Sequence, residues 1–258
     1  MNDSSTKNPI LKLTQDGSHT LYSTRFDQYY HNPNGAVAES KHNFFEVNGL
    51  MDALGSKEEI AILEVGFGTG LNLLLLIDAL QKLGPKTTIR YYSIEAFPIK
   101  AETAKQLNFG QHLHHPELGK TLDDIFSNLG TGLNTFALND HLTAYIFNGR
   151  FADFTAPALQ ADFIFHDAFS PNVNPELWVK TVFRKLKSFS AKDCILSTYC
   201  AASKAKGAMA AAGWHLAKAP GALGKREMTV ASLNAEKLAE FERVDEVRLA
   251  RRYEEDDF

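Results

Sequence analysis

Residues 62–72 read ILEVGFGTGLN. An apolar run carrying Glu64 ends at Val65, glycines follow at 66, 68 and 70, and a helical pattern begins at Leu71. At such a corner, where a buried strand turns into a helix, glycine reaches positive φ and lets a ligand approach bare backbone. A Walker A loop needs Gly-Lys-Ser/Thr, which this stretch lacks. The dinucleotide fingerprint sets its third glycine three places after the second. Here that place holds Leu71, and the third glycine arrives after two. Glu64 would also set a negative charge beside a pyrophosphate.

Outward from this corner, strand and helix patterns alternate. Strands are predicted near Ala61–Val65, Ile89–Glu95, Leu142–Phe147, Asp162–His166, Cys194–Tyr199 and Met228–Leu233. Helices are predicted near Leu71–Lys82, Lys100–Leu107, Pro116–Asn128, Pro175–Phe189 and Ala201–Ala212. Apolar strands alternating with amphipathic helices predict an α/β fold, a doubly wound Rossmann-like sheet covered on both faces. Gly213-Trp214 reads as a helix stop before another strand, with an antiparallel hairpin at the sheet edge. Ligands of such sheets bind beyond the carboxyl ends of the strands, where strand order reverses.

Before the sheet, LKLTQDGSHTLYS predicts a hairpin turning at Asp16-Gly17. The aromatic- and amide-rich stretch after it predicts a cap or binding surface. The expected organisation is an N-terminal extension over 1–55, a catalytic domain over 56–235 and a solvated tail over 236–258, with residues 1–8 disordered.

Composition sets limits on function. With 258 residues, 44% of them apolar, the chain suits one large domain with an appendage. A net charge of −4 gives no overall sign of a nucleic-acid protein, although a local basic face is compatible with it. Cys194 and Cys200 are too few for a disulfide framework and predict buried thiols in a reducing compartment. The polar start MNDSSTKNPI and the short apolar runs predict a soluble cytoplasmic protein without a membrane span.

S-adenosylmethionine has no phosphate and carries an α-ammonium and a sulfonium, so an acidic glycine corner suits it. The E-x-G-x-G-x-G pattern of residues 64–70 resembles the first motif of the doubly wound methyltransferases. Glu95 ends the second strand, YYSIEAF, where an acid accepts from both ribose hydroxyls. In DFIFHDAFSPNVNPELW, Asp167 falls just past a buried strand, across the sheet switch from the corner. An acid there accepts hydrogen bonds from a substrate amine and removes its proton. An alkyl ammonium has no lone pair and must lose a proton before displacing a methyl in line. The alternative is a strand-end acid that caps the helix near Pro175.

The segments HDAFSPNVNPELWVKTVF, STYCAAS and GALGKREMTVASL, with DGSHTLYSTRFDQYYH, AES and SIEAFP, resemble the methyltransferase half of bacterial MnmC-type tRNA wobble-uridine enzymes, over roughly residues 16–233. The resemblance implies an S-adenosylmethionine-dependent N-methyltransferase acting on the aminomethyl group of 5-aminomethyl-(2-thio)uridine in tRNA. It implies that Glu64, Gly66, Gly68, Gly70 and Glu95 hold the cofactor, together with Asn72 at the end of the opening stretch. Asp167 would be catalytic, Phe169 and Pro171 would line the amine site, and Lys225, Arg226 and Glu227 would form a turn beside it. Where the family has Gly-Asp after the third strand, this chain has Gly149-Arg150, and Asp153 is the candidate to contact the adenine amine. Bifunctional members continue into a flavin-dependent oxidase; the length of this chain leads one to expect methyl transfer without it.

Rival readings are a small-molecule amine methyltransferase or aminopropyltransferase, and a protein that binds the cofactor without chemistry. HLHHPE, residues 112–117, lacks partners at metal-site spacing, so no metal is expected. Lys180, Arg184, Lys185, Lys187, Lys204 and Lys206, with Lys225-Arg226, are either solvated helix faces or a patch for the tRNA backbone. Tyr29, Tyr30, Phe44 and Phe45 either stack on anticodon-loop bases or fix the N-terminal segment to the sheet. Packing is the expectation, with Tyr29 the exception.

Overall fold

The computed structural model describes residues 8–84 and 86–258. The disorder expected over residues 1–8 lies, apart from Asn8, outside the described residues.

Asp16 ties the first turn to the helix beyond it: its carboxylate accepts from the Ser18 amide at 3.0 Å and from the Ala38 amide at 3.1 Å. The turn joins β1 (Ile10–Leu13) to β2 (His19–Ser23) as the expected antiparallel hairpin, and β3 (Gln28–Tyr29) adds a third strand. The stretch after it is helical, which the sequence did not announce. It comprises α1 (Ala36–Lys41), a π-helical turn over His42–Glu46 and α2 (Leu50–Ser56). The π turn closes with the Val47 amide donating to the His42 carbonyl at 3.1 Å. It buries Phe44 and Phe45 against Phe165, with ring centroids 5.0 and 5.9 Å apart. Both phenylalanines therefore pack the extension onto the sheet, as expected.

The main sheet starts with β4 (Glu59–Val65), buried at every residue after Glu59. Then come α3 (Leu71–Leu83), β5 (Thr88–Glu95), α4 (Ala101–Ala104), α5 (Thr121–Asn128), β6 (Gly132–Asn139) and β7 (Leu142–Asn148). The second half runs β8 (Ala161–His166), α6 (Lys180–Ser188), β9 (Ser190–Thr198), α7 (Ser203–Ala211), β10 (His215–Pro220), β11 (Glu227–Ser232), β12 (Glu242–Arg243) and α8 (Glu246–Glu254). The strand order is β12-β10-β11-β9-β8-β4-β5-β7-β6. The five central strands, β9 to β7, pair in parallel, and the flanking strands are antiparallel. The chain leaves β4 towards β5 on one side and reaches β8 only later on the other, so the order reverses between β4 and β8. A ligand crevice belongs at their carboxyl ends.

Several expected elements differ in extent. The helices expected from Pro116 and Pro175 open instead with 3-10 turns, Pro116–Lys120 and Pro175–Leu177, before α5 and α6 begin. At the second, the Trp178 indole donates to the Phe169 carbonyl at 2.7 Å, and Val179 is extended, which delays the helix. Strand β6 was unexpected; as an edge strand it alternates half-buried and exposed residues, a weak signal beside the apolar central strands. The expected solvated tail is helix α8. The Asp245 carboxylate caps it by accepting from the Arg248 amide at 2.9 Å, and Leu249 and Tyr253, four apart on one face, pack against the second core cluster. No helix among the described residues is long and apolar enough to cross a membrane.

Candidate active site

A cavity of about 1130 Å³ opens at the carboxyl ends of β4, β5 and β8, covered by residues 22–33 of the N-terminal extension. Its walls differ in construction.

On one side the wall is backbone. Gly66, Gly68 and Gly70 have φ of 99°, 54° and 77°, values that only glycine adopts without strain. A Cβ on Gly66 would sit 2.6 Å from the Asp167 carbonyl oxygen, and one on Gly70 would sit 2.4 Å from Leu122 Cδ2. The corner is held to β5 by the Gly66 and Phe67 amides, which donate to the Ile94 carbonyl at 3.0 and 3.2 Å. The Glu95 carboxylate accepts from the Gly68 amide at 2.9 Å and from the Phe97 amide at 2.8 Å. A carboxylate offers about four lone-pair sites, so acceptor capacity remains on the cavity side. Burial pushes the Glu95 carboxyl up, against those two bonds.

The opposite wall is made of side chains. Asp167 follows β8, its amide donating to the Val65 carbonyl at 2.9 Å. Its Oδ2 accepts from Asn72 Nδ2 at 3.1 Å, and the same Nδ2 donates to Glu64 Oε1 at 2.9 Å. Desolvation and the nearby carboxylates of Glu64 and Glu39 hold the Asp167 carboxyl well above the usual aspartate range. Glu39, from α1, accepts from Lys225 Nζ at 2.6 Å and from the Asn32 amide at 2.9 Å. Lys225 reaches the wall from the β10–β11 turn. There Leu223 and Gly224 take φ of 51° and 81°, and the Lys225 amide closes on the Ala222 carbonyl at 3.0 Å. Two successive positive φ values are the hairpin-turn geometry that matches strand twist. The Lys225 ammonium also lies 5.2 Å from the Tyr199 ring centre. The Phe169 ring meets Phe26 at a tilt and Tyr30 edge to face, with centroids 4.8 and 5.1 Å apart, tying this wall to the N-terminal cover.

Of the residues singled out in the sequence, Tyr29, Gly66, Gly68, Asn72, Glu95, Asp167, Phe169 and Lys225 line the cavity. Gly70 stands behind, shaping the corner against Leu122 and Phe67. Glu64 is 1% exposed and lies beneath the wall, held by Asn72 and by Ser93 Oγ at 2.6 Å. Asp153 is exposed and off the wall; Gly149, Arg150, Phe151, Ala152 and Lys185 stand there instead. Pro171 and Arg226 lie outside the lining. Glu227 turns away from it to pair with the buried Lys206 at 2.5 Å. Tyr30, weighed as a stacking or packing ring, and Arg150, noted as a departure from the family, also line the cavity. Sequence reasoning gave no role to His31, Glu39 and Tyr199, although each lies inside a segment that carries the resemblance.

The basic helix residues are largely occupied. Lys180 pairs with Glu254, Lys204 with Asp256 at 2.8 Å, and Lys187 donates to the Gly213 carbonyl at 3.2 Å. Lys185 donates to the carbonyls of Phe151 and Ala152 at 2.9 and 2.7 Å. In the HLHHPE segment, the His114 and His115 amides donate to the buried Asp78 carboxylate at 3.1 and 3.0 Å, a structural tie.

A sheet with a parallel centre, a glycine corner and a strand-end acid on β5 that face one crevice at the reversal of strand order is the arrangement of the nucleoside-cofactor-binding class of α/β proteins. This chain matches the model of the S-adenosyl-L-methionine-dependent methyltransferase family over residues 123–234. Among its relatives is the tRNA 5-methylaminomethyl-2-thiouridine biosynthesis bifunctional protein MnmC of Cupriavidus metallidurans, 34% identical over 85% of this chain and 33% of its own length. Its counterpart in Leptospira interrogans is 33% identical over 85% of this chain and 35% of its own. The chain thus spans about a third of these curated relatives. The crystal structure of MnmC2 from Aquifex aeolicus superposes with a TM-score of 0.74 at 25% identity, covering 98% of this chain and 77% of that one.

Proposed function

We propose that this chain moves a methyl group from S-adenosylmethionine to the primary amine of 5-aminomethyl-(2-thio)uridine at the wobble position of tRNA. The observation that carries this reading is the buried Asp167 carboxylate facing the glycine corner across the β4–β8 switch.

The residues present suit the cofactor. Gly66 lets the glycine corner close on the Asp167 backbone, where any Cβ would clash, and Glu95 keeps lone pairs for ribose hydroxyls. Gly66, Gly68 and Glu95 would make the contacts, with Gly70 supporting them from behind. Once bound, the cofactor supplies an electrophilic methyl on its sulfonium. Asp167, as carboxylate, accepts an N–H of the incoming ammonium and takes that proton, leaving the bonding pair on nitrogen as the nucleophilic lone pair. Its carboxyl, raised by desolvation and by the carboxylates of Glu64 and Glu39, has the greater proton affinity that this task uses. Tyr29, Tyr30 and Phe169 offer ring faces for an extruded base, the usual mode for single-stranded RNA. Lys225, held by Glu39, and Arg226 next to it are placed for backbone phosphate.

The names of the relatives support the choice of tRNA as substrate, and the cavity lining, which runs from Tyr22 to Lys225, supports reading the extension and the sheet as one functional unit. The test is incubation with methyl-labelled S-adenosylmethionine and bulk tRNA from cells lacking this modification, followed by nucleoside digestion. Label in 5-methylaminomethyl-type uridine is expected. Label on free polyamines but not RNA would replace this reading with the small-amine one.

A further inference from the structure

Asn72 is 4% exposed, and both protons of its Nδ2 are committed: one to Glu64 Oε1 at 2.9 Å, one to Asp167 Oδ2 at 3.1 Å. Its Oδ1 is buried without a partner. Turning the amide over would aim that oxygen at two carboxylates, so the orientation is forced by the acids themselves. Glu64 is in turn fixed from below by Ser93 Oγ at 2.6 Å and does not reach the cavity.

We propose that Glu64 and Asn72 are positioning residues for Asp167. Glu64 locks the Asn72 amide, whose Nδ2 steers the Asp167 carboxylate towards the incoming ammonium group. This rests on the reading of Asp167 as the amine-binding base, and it moves Glu64 from the cofactor to the proton side of the site. An alkyl ammonium has three N–H donors. Asp167 takes one as a proton, and the pair of that N–H, left on nitrogen on the side facing Asp167, reaches the methyl once the amine turns about its C–N bond. The carboxylate of Glu64 behind the amide also strengthens the base, because a like charge nearby disfavours a second ionisation.

The groups facing Asp167 are Glu64 from β4, Asn72 from α3, Glu39 from α1, Tyr91 from β5, Tyr199 after β9 and Lys225 from the β10–β11 turn. Glu39 and Lys225 oppose each other as a pair, and the tyrosines are held neutral by burial. Glu64 is the carboxylate coupled to Asp167 through a shared hydrogen-bonding group. Glu64 itself faces Ser93, Tyr91, Asn72 and Glu95.

The test needs no substrate, so it stands apart from the tRNA reading. The aspartate carboxyl carbons of the full chain are labelled with ¹³C, the Asp167 signal is assigned by its loss in Asp167→Asn, and it is followed against pH. The parent is expected to show two steps, the second reporting Glu64. Glu64→Gln keeps the amide's acceptor and removes the charge; it should show one step, with a midpoint lower by about one pH unit. Asn72→Ala removes a bond to the charged form and should move the midpoint the other way. Calorimetric affinity for S-adenosylmethionine should stay within about threefold in Glu64→Gln, with a folded spectrum by circular dichroism. An unmoved Asp167 midpoint in Glu64→Gln, or a loss of cofactor affinity of about tenfold or more in that variant, overturns the assignment.

Discussion

The wall proposed for the cofactor is backbone from Gly66 to Gly70 with the Glu95 carboxylate, whereas the wall proposed for the amine is side chains drawn from positions 39, 72, 167, 199 and 225. The first is fixed by local constraints: three positive φ values and amide donors aimed at one carboxylate. The second exists only once α1, α3, β8 and the β10–β11 turn have converged. A backbone wall tolerates little change, because no rotamer can relieve a misplaced Cβ. A side-chain wall can change its substrate by exchanging single residues while the cofactor wall stays as it is.

Substitutions separate the two walls by size of effect. Gly66→Ala should be the most damaging, since the new Cβ meets the Asp167 carbonyl at 2.6 Å at a φ of 99°. Strain of about 1–3 kcal/mol from the backbone alone joins a clash that displaces both walls. Loss of measurable cofactor binding by calorimetry, with a lowered Tm, is expected; unchanged affinity would break the claim that bare backbone forms this wall. Glu95→Gln should weaken the cofactor by about 1.5–3 kcal/mol while leaving the rate at saturating cofactor nearly intact. An equal loss in rate would join the two walls into one. Lys225→Met should act on the amine side only, raising the apparent KM for tRNA about three- to tenfold and flattening its salt dependence. A change in cofactor affinity instead would misplace Lys225.

The smallest effect is on stability. Desolvation raises the Glu64 carboxyl to about 7, against the bonds from Ser93 and Asn72. The folded state therefore keeps a proton that the unfolded chain releases nearer 4.5. The stability this contributes is complete below the unfolded value and is lost as pH rises through about 7. Relative to the parent, Glu64→Gln should gain about 3–5 °C in Tm at alkaline pH and lose that advantage below the unfolded value. A constant difference at all pH values would contradict a buried, titrating Glu64.

This division also explains what could be read from the sequence. The glycine corner and Glu95 were legible because their geometry is set by neighbours in the chain, and the central strands because burial on both faces leaves continuous apolar runs. Asp167 was legible as a strand-end acid. Glu39 and Tyr199 were not, since nothing local tells that α1 and the end of β9 meet over the β4–β8 crevice. The displacement of Glu64 beneath the wall was equally hidden. Its position in the motif fits a ligand contact, and only the Asn72 amide, eight residues on along α3, shows what it faces. The tail was misread because its charges were counted and the Leu249–Tyr253 face was not.

The most direct test of two separable walls compares binding and turnover in Asp167→Asn, a near-isosteric change that keeps an acceptor for Asn72. Calorimetry should return a cofactor affinity within about threefold of the parent, while the single-turnover rate of methyl transfer to tRNA falls by about 10²–10⁴. An undiminished rate, or affinity and rate falling together, would contradict the account.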